Sequence, residues 1–312
     1  MSQILAVTLN TFREAIRDKV LYGIVFFAIL IILFSLVLGE LSLHEEKRIT
    51  IDLGLSGISL FSVIIAIFLG VTLVKKEVEK RTVFYLLTKP ITRPQFIIGK
   101  FLGMLWTILV QILLMFSALF VVLAIQAEVK TSLIVISLGF LVLIWIILFF
   151  ILKFPTHIWI SLFSIVAILT TTYLAKGYIN ISSIIKAGIL CFCEISIITA
   201  LAIMFSTIAT PLMSGIITFG IFMVGRNIQN LELLAQKVHS ESTKLLLKLI
   251  VTIFPNLYLF YPSGAMLEAK HFSIHGEFVA WRLVGWDSFY ALVYTVILLI
   301  ISIILFKRKE FI

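Results

Sequence analysis

Long uncharged apolar runs alternate with short polar segments along this chain. Residues 20–38, 55–74, 101–127, 131–152, 154–175 and 288–306 contain no Asp, Glu, Lys or Arg. A helix rising 1.5 Å per residue needs roughly 20 apolar residues to cross about 30 Å of hydrocarbon, so each run predicts a transmembrane helix. A longer stretch, 179–224, is interrupted only by Lys186 and Glu194. Pro211 lacks the amide that a helix interior requires, so this stretch predicts two spans meeting near Ala209-Thr210-Pro211. The pattern therefore predicts an all-α polytopic bundle of about eight transmembrane helices, forming one transmembrane domain over 1–312.

Three polar segments are amphipathic. In 1–19, Leu5, Leu9, Phe12 and Ile16 form one stripe, while Gln3, Asn10, Arg13, Glu14 and Arg17 lie elsewhere, which predicts an interfacial helix in the headgroup plane. In 75–98, Val83, Leu86 and Leu87 form an i, i+3, i+4 stripe with Glu79, Lys80 and Lys89 pointing away. That helix ends at Lys89-Pro90, because a residue before proline avoids the α region. In the loop 226–287, Leu231, Leu234, Val238, Leu245 and Leu249 recur at helical spacing between Asn230 and Phe254. Trp281, Trp286, Phe289 and Tyr290 then mark a membrane interface.

Composition agrees: 61% of the 312 residues are hydrophobic and 13% charged, which excludes an ordinary soluble domain. The distribution of Lys and Arg predicts orientation. With the N-terminus inside, the cytoplasmic segments hold Arg13, Arg17 and Lys19, seven basic residues from Lys75 to Lys100, then Lys153 and Lys307-Arg308-Lys309. The short outer loops hold Lys47, Arg48, Lys130 and Lys176. This positive-inside pattern puts both termini in the cytoplasm. The loop 226–287 carries six basic and five acidic residues and lies outside in this scheme. The first run lacks a small-x-small cleavage site and reads as an uncleaved anchor rather than a signal peptide. The net charge of +9 calls for no nucleic acid, since much of it faces anionic membrane lipid.

The order of parts resembles a known family. The insert reads Lys76-Glu77-Val78-Glu79-Lys80-Arg81-Thr82, then Leu86-Leu87-Thr88-Lys89-Pro90-Ile91-Thr92-Arg93 and Gly99-Lys100. Downstream come Ala200-Leu201-Ala202-Ile203-Met204-Phe205-Ser206-Thr207, Pro211-Leu212, Phe254-Pro255-Asn256-Leu257 and Phe306-Lys307-Arg308-Lys309. This ordered set resembles the permease subunit of ABC-2-type transporters, in particular those grouped with multicopper-enzyme maturation permeases. Such permeases have six spans, so 131–175 stands out as an extra helix pair, with a re-entrant hairpin around Lys153-Phe154-Pro155 as the alternative. The resemblance implies a multi-pass exporter of the cell (inner) membrane. It further implies a dimer with a second permease copy or homologue, and two copies of a cytoplasmic ABC ATPase subunit that bind ATP and Mg.

The resemblance also gives the insert a role, that of a coupling helix seated in the ATPase. Val83, Leu86 and Leu87 then fill an apolar groove, and Glu77, Glu79, Lys80, Arg81, Thr82 and Arg93 align the rim. The other reading is an ordinary basic cytoplasmic loop. No Gly-x-x-x-x-Gly-Lys-Ser/Thr phosphate cradle occurs: Pro94 stands where the first glycine before Gly99-Lys100 belongs. ATP hydrolysis is thus expected on a separate chain, with no cofactor bound and no enzyme activity here.

Within the spans Glu194 is the residue to weigh. A carboxylate at mid-membrane costs about 2.5–3.5 kcal/mol on insertion scales, so it is expected to face the interior and be paired or protonated, the structural case being a neutral Glu bonded to a neighbouring helix through Gln111 or a hydroxyl. It is either a polar point on the substrate path or dimer seam, or a structural hydrogen bond. An alternative function, a secondary ion-coupled transporter, makes Glu194 the proton site. Cys191 and Cys193 point about 200° apart on a helix and so cannot share a metal ion unless it unwinds. Gly99 and Gly103 form a small-x-x-x-small pair, suited either to packing within the subunit or to a dimer seam.

Overall fold

The structure, a computed structural model, describes residues 3–42, 46–79, 92–127, 129, 131–152, 155–176, 181–238, 240–260 and 280–308. Its helices are α1 (Gln3–Ile16), α2 (Lys19–Glu40), α3 (Glu46–Glu79), α4 (Arg93–Gln126), α5 (Thr131–Leu152), α6 (Thr156–Ala175), α7 (Ile181–Ser206), α8 (Pro211–Arg226), α9 (Ile228–Lys237), α10 (Glu241–Ile253) and α11 (Trp281–Arg308). A short 3-10 turn covers Leu257–Phe260. Local chemistry sets several starts. The Asp18 carboxylate accepts the Val20 amide at 3.1 Å ahead of α2. Gln95 Oε1 accepts the Thr92 amide at 3.0 Å as α4 begins, and Pro211 opens α8, where its missing amide costs nothing.

Six helices, α2, α3, α4, α6, α7 and α11, are long and apolar enough to cross a membrane. The pair α8–α9 makes a seventh if its 61° bend is a break within one span. α5 contributes a shorter described apolar stretch, Ser132–Ile147. The protein is therefore a polytopic helical membrane protein. In place of eight uninterrupted spans, the structure offers six clear ones, a bent pair and α5. Two layers are evident from burial. The apolar windows of α3, α4 and α7 are 67%, 61% and 61% buried, against 28% for α2, α6 and α11. α3, α4 and α7 form the centre and the others flank it. α5 is outermost, leaning on α6 through Trp145, whose ring meets Trp159 edge-on at 5.1 Å.

Helix directions follow from a few contacts. Arg93, at the start of α4, donates to the carbonyls of Phe306 (3.4 Å) and Lys307 (2.7 Å) at the end of α11. The 75–98 insert and the C-terminal end of α11 thus share one end of the bundle. α11 runs parallel to α7: Lys186 lies over Trp281 at 5.3 Å, Cys193 meets Ser288 at 3.5 Å and Ser196 meets Thr295 at 3.3 Å. At the opposite end, Gln126 donates to Thr50 at 3.1 Å.

The glycine pair of α4 holds α1. A Cβ on Gly99 would meet Val7 at 2.7 Å, and one on Gly103 would meet Thr11 at 2.6 Å and the Thr8 carbonyl at 2.7 Å. Close approach here serves packing within the subunit. Gly103→Val is expected to push α1 off the bundle and cost about 1–3 kcal/mol, as overpacking does. Thermal unfolding, together with faster thiol labelling of a cysteine placed at the buried Thr8, checks this. An unchanged labelling rate would show that α1 is held elsewhere.

The loop 226–287 differs from its expectation. Its single amphipathic helix divides into α9 and α10, because Val238 and Ser240 adopt extended backbone. The chain then returns into the bundle. Asn256 donates its amide to Tyr290 Oη at 3.0 Å, Tyr294 Oη donates to the Ile253 carbonyl at 3.3 Å, and a Cβ on Gly225 would meet the Pro255 carbonyl at 2.7 Å. Leu257 and Phe260 are buried. Irregular backbone is tolerated at such depth because protein, not lipid, surrounds it.

Candidate functional site

Glu194 lies midway along α7 and is fully buried. Its Oε2 accepts from Ser59 Oγ of α3 at 2.9 Å and from Arg226 Nη2 at the end of α8 at 3.2 Å. Arg226 Nη2 also donates to Ser59 Oγ at 2.9 Å, closing a triangle, and its guanidinium lies 5.3 Å from the centre of the Phe222 ring. The partner differs from the expected Gln111 or hydroxyl alone: the burial cost is met by an opposite charge, with the Ser59 hydroxyl as third member. Arg226 also sits where the α8 dipole is negative. Glu194 Oε1 has no hydrogen-bond partner among the described residues.

Sequence reasoning misses Arg226 and Ser59. It places Arg226 in the outer loop, whereas this residue is the last of α8. The signal is present: a lone cation ends the otherwise uncharged run 211–225, and a lone carboxylate interrupts the preceding one. Ser59 carries no such mark among the many span hydroxyls. Asp287, just outside the last uncharged run, lies within α11 and is buried.

The triangle joins three helices with different attachments. α3 continues unbroken from Ser59 to Glu79 at the edge of the insert. α8 ends at Arg226, where the chain bends by 61° into α9. Toward the insert end, α3 and α8 border a 620 Å³ groove lined by Ile64, Phe68, Val71, Leu212, Ile216 and Phe219. Its lining is nearly all apolar and suits an apolar group. A Cβ on Gly220 would meet nothing within 4 Å, so that glycine opens onto space, whereas Gly225 is packed.

Among the insert residues, Lys80, Arg81, Thr82, Val83, Leu86 and Leu87 lie outside the described residues, and Glu77 and Glu79 are described as helical backbone only. Arg93 is described and is engaged with the end of α11. Lys153 and Phe154, where the re-entrant alternative falls, are likewise outside. The thiols face different neighbours: Cys191 is buried, and Cys193 donates to Ser288. Among the described residues no three His, Cys, Asp or Glu come close enough to hold a metal ion.

Comparison with protein families decides what this bundle is. The family described as ABC-2 family transporter protein matches residues 5–311. The chain belongs to this family. No curated protein matches it. As an ABC-2 permease it is a membrane transport component, whose family works with an ABC ATPase. The matched range takes in α5 and α6.

Proposed function

We propose that this chain is the permease subunit of an ABC-2-type exporter, working as a dimer with a second permease copy or homologue and with two copies of a cytoplasmic ATPase subunit. Family membership over nearly the whole chain carries this reading. The geometry supplies a lever: α3 is a 34-residue helix that ends at the insert and reaches Ser59 in the buried triangle. Force applied at 75–98 by the closing ATPase passes along one rigid element to the joint between α8 and α9. ATP and Mg stay on the partner. Counting α5 and the bent α8–α9 pair as crossings gives eight, with both termini cytoplasmic in the inner membrane.

The secondary-transporter alternative is weaker, because Glu194 is already engaged by Arg226 and Ser59. The broken helix α8–α9 also has no counterpart among the described helices of the first half, where α2, α3 and α4 run continuously. Two measurements test the proposal together. Cysteines at Glu46 and Glu128 are expected to react with an impermeant thiol reagent from outside, and those at Gln3 and Glu310 are not. Affinity purification is expected to bring down an ATPase with a phosphate-binding loop. Labelling at position 3 from outside would overturn the orientation, and purification with no ATPase would overturn the function.

A further inference from the structure

The end of α1 forms a second built feature that the transport reading does not use. A cavity of 490 Å³ is lined by Arg13 and Ile16 of α1, Arg17 in the turn that follows it, Tyr22 of α2, and Pro155 and His157 at the start of α6. No carboxylate among the described residues lines it; Arg13 and Arg17 also border an adjacent hollow, which carries Glu14, Asp18 and Lys19. Arg13 Nη2 rests 3.4 Å from His157 Nε2, and His157 is buried with its ring edge-on to Phe12 at 6.3 Å. The Arg17 side chain makes no hydrogen bond or ion pair among the described residues. Both arginines border this cavity, and like charges held close together repel unless an anion lies between them. Pro155 caps α6 without a side-chain acceptor, so the positive end of that helix adds to the same field.

The surroundings favour one source of anion. Among the described residues α2 and α6 share no packed seam; each leans on α4, and α1 closes their end. The cavity opens between them. Phe26, one turn along α2 from Tyr22, and Ile158 and Leu162 along α6 are exposed apolar side chains leading from it toward the membrane interior. A free anion has no use for that wall, whereas acyl chains do. The cavity lies at the insert end of the bundle, since Val7 and Thr11 of α1 pack on Gly99 and Gly103 in the first turns of α4.

We infer that this cavity binds the phosphate of an anionic phospholipid from the leaflet on the insert side, with Arg13 and Arg17 as its ligands and His157 holding Arg13 in place. The site spans α1 and α6, which gives the added helix pair a purpose, since its second member completes a lipid site that pins the interfacial helix to the bundle. The phosphate chemistry is shared by free phosphate, so the test separates the two.

The full-length protein, delipidated in detergent, is titrated with dioleoyl-phosphatidylglycerol, dioleoyl-phosphatidylcholine and inorganic phosphate, and bound adducts are counted by native mass spectrometry. The wild type is expected to prefer phosphatidylglycerol over phosphatidylcholine by about tenfold, and Arg13→Gln/Arg17→Gln is expected to abolish that preference. Lys244→Gln, on exposed α10, is expected to keep it. Arg17→Gln alone keeps the test open should the double variant not fold, with an expected loss of about fivefold. A preference that survives in the Arg17→Gln and double variants would overturn the site. Inorganic phosphate competing as well as the lipid would overturn the lipid assignment.

Discussion

Replacing Glu194 with Leu is expected to cost about 3–5 kcal/mol of bundle stability, because it leaves the Arg226 guanidinium without its counter-charge in a low-dielectric interior. Arg226→Leu is expected to cost a similar amount by stranding the fully buried carboxylate. The double variant Glu194→Leu/Arg226→Leu is expected to recover most of the loss, since an apolar pair of similar volume removes both desolvation costs at once. Glu194→Gln falls between, keeping the acceptor for Ser59 but not the charge. Thermal unfolding of the purified variants measures the cycle. Single losses that simply add in the double variant would show that the two side chains do not act as a pair. If the double variant folds but no longer supports transport, the triangle is part of the moving joint as well as a structural tie.

What is legible in the sequence follows from where its signals are local. Span positions are readable because a run of about 20 apolar residues has few alternative uses, and the break before Pro211 is readable because proline removes a donor wherever it sits. The bend after Arg226 is not. It goes with α8 packing on α3 and with Pro255 and Leu257 tucking beside Gly225, contacts between segments far apart in sequence. Periodicity joins α9 and α10 into one helix because Leu234, Leu245 and Leu249 keep a common rhythm across Val238 and Ser240, where the backbone is extended. The lone charge Glu194 is recognisable as a site, but its partner is not, since pairing is a property of tertiary neighbours. Gly99 and Gly103 announce a close approach; that α1 is what approaches comes only from the packing.

Leu86→Asp is expected to abolish copurification of the ATPase, because a carboxylate placed in an apolar groove costs several kcal/mol unless it is paired. Phe84→Gly/Tyr85→Gly is expected to act differently. On the coupling helix expected for 75–98, glycine costs about 1 kcal/mol per helical site, so the insert would stay partly seated but no longer move as a rod. Binding should persist while ATP hydrolysis proceeds without transport. The contrast rests on the continuity of α3: a rigid helix from Ser59 to Glu79 transmits displacement only if the segment beyond it is equally stiff. The two variants therefore separate seating from transmission, read as ATPase recovered on purification and as hydrolysis rate against transport rate. Full recovery of the ATPase with Leu86→Asp would move the docking surface elsewhere. The nearest alternative on the same end of the bundle is α1, although its Phe12 is buried against Trp106 at 5.5 Å and so is already committed to the interior. A partner seated there would meet the exposed Arg13 and Arg17 instead, the same cations assigned above to lipid phosphate. If the ATPase failed to copurify with Arg13→Gln/Arg17→Gln yet still copurified with Leu86→Asp, that face would pass from lipid to protein.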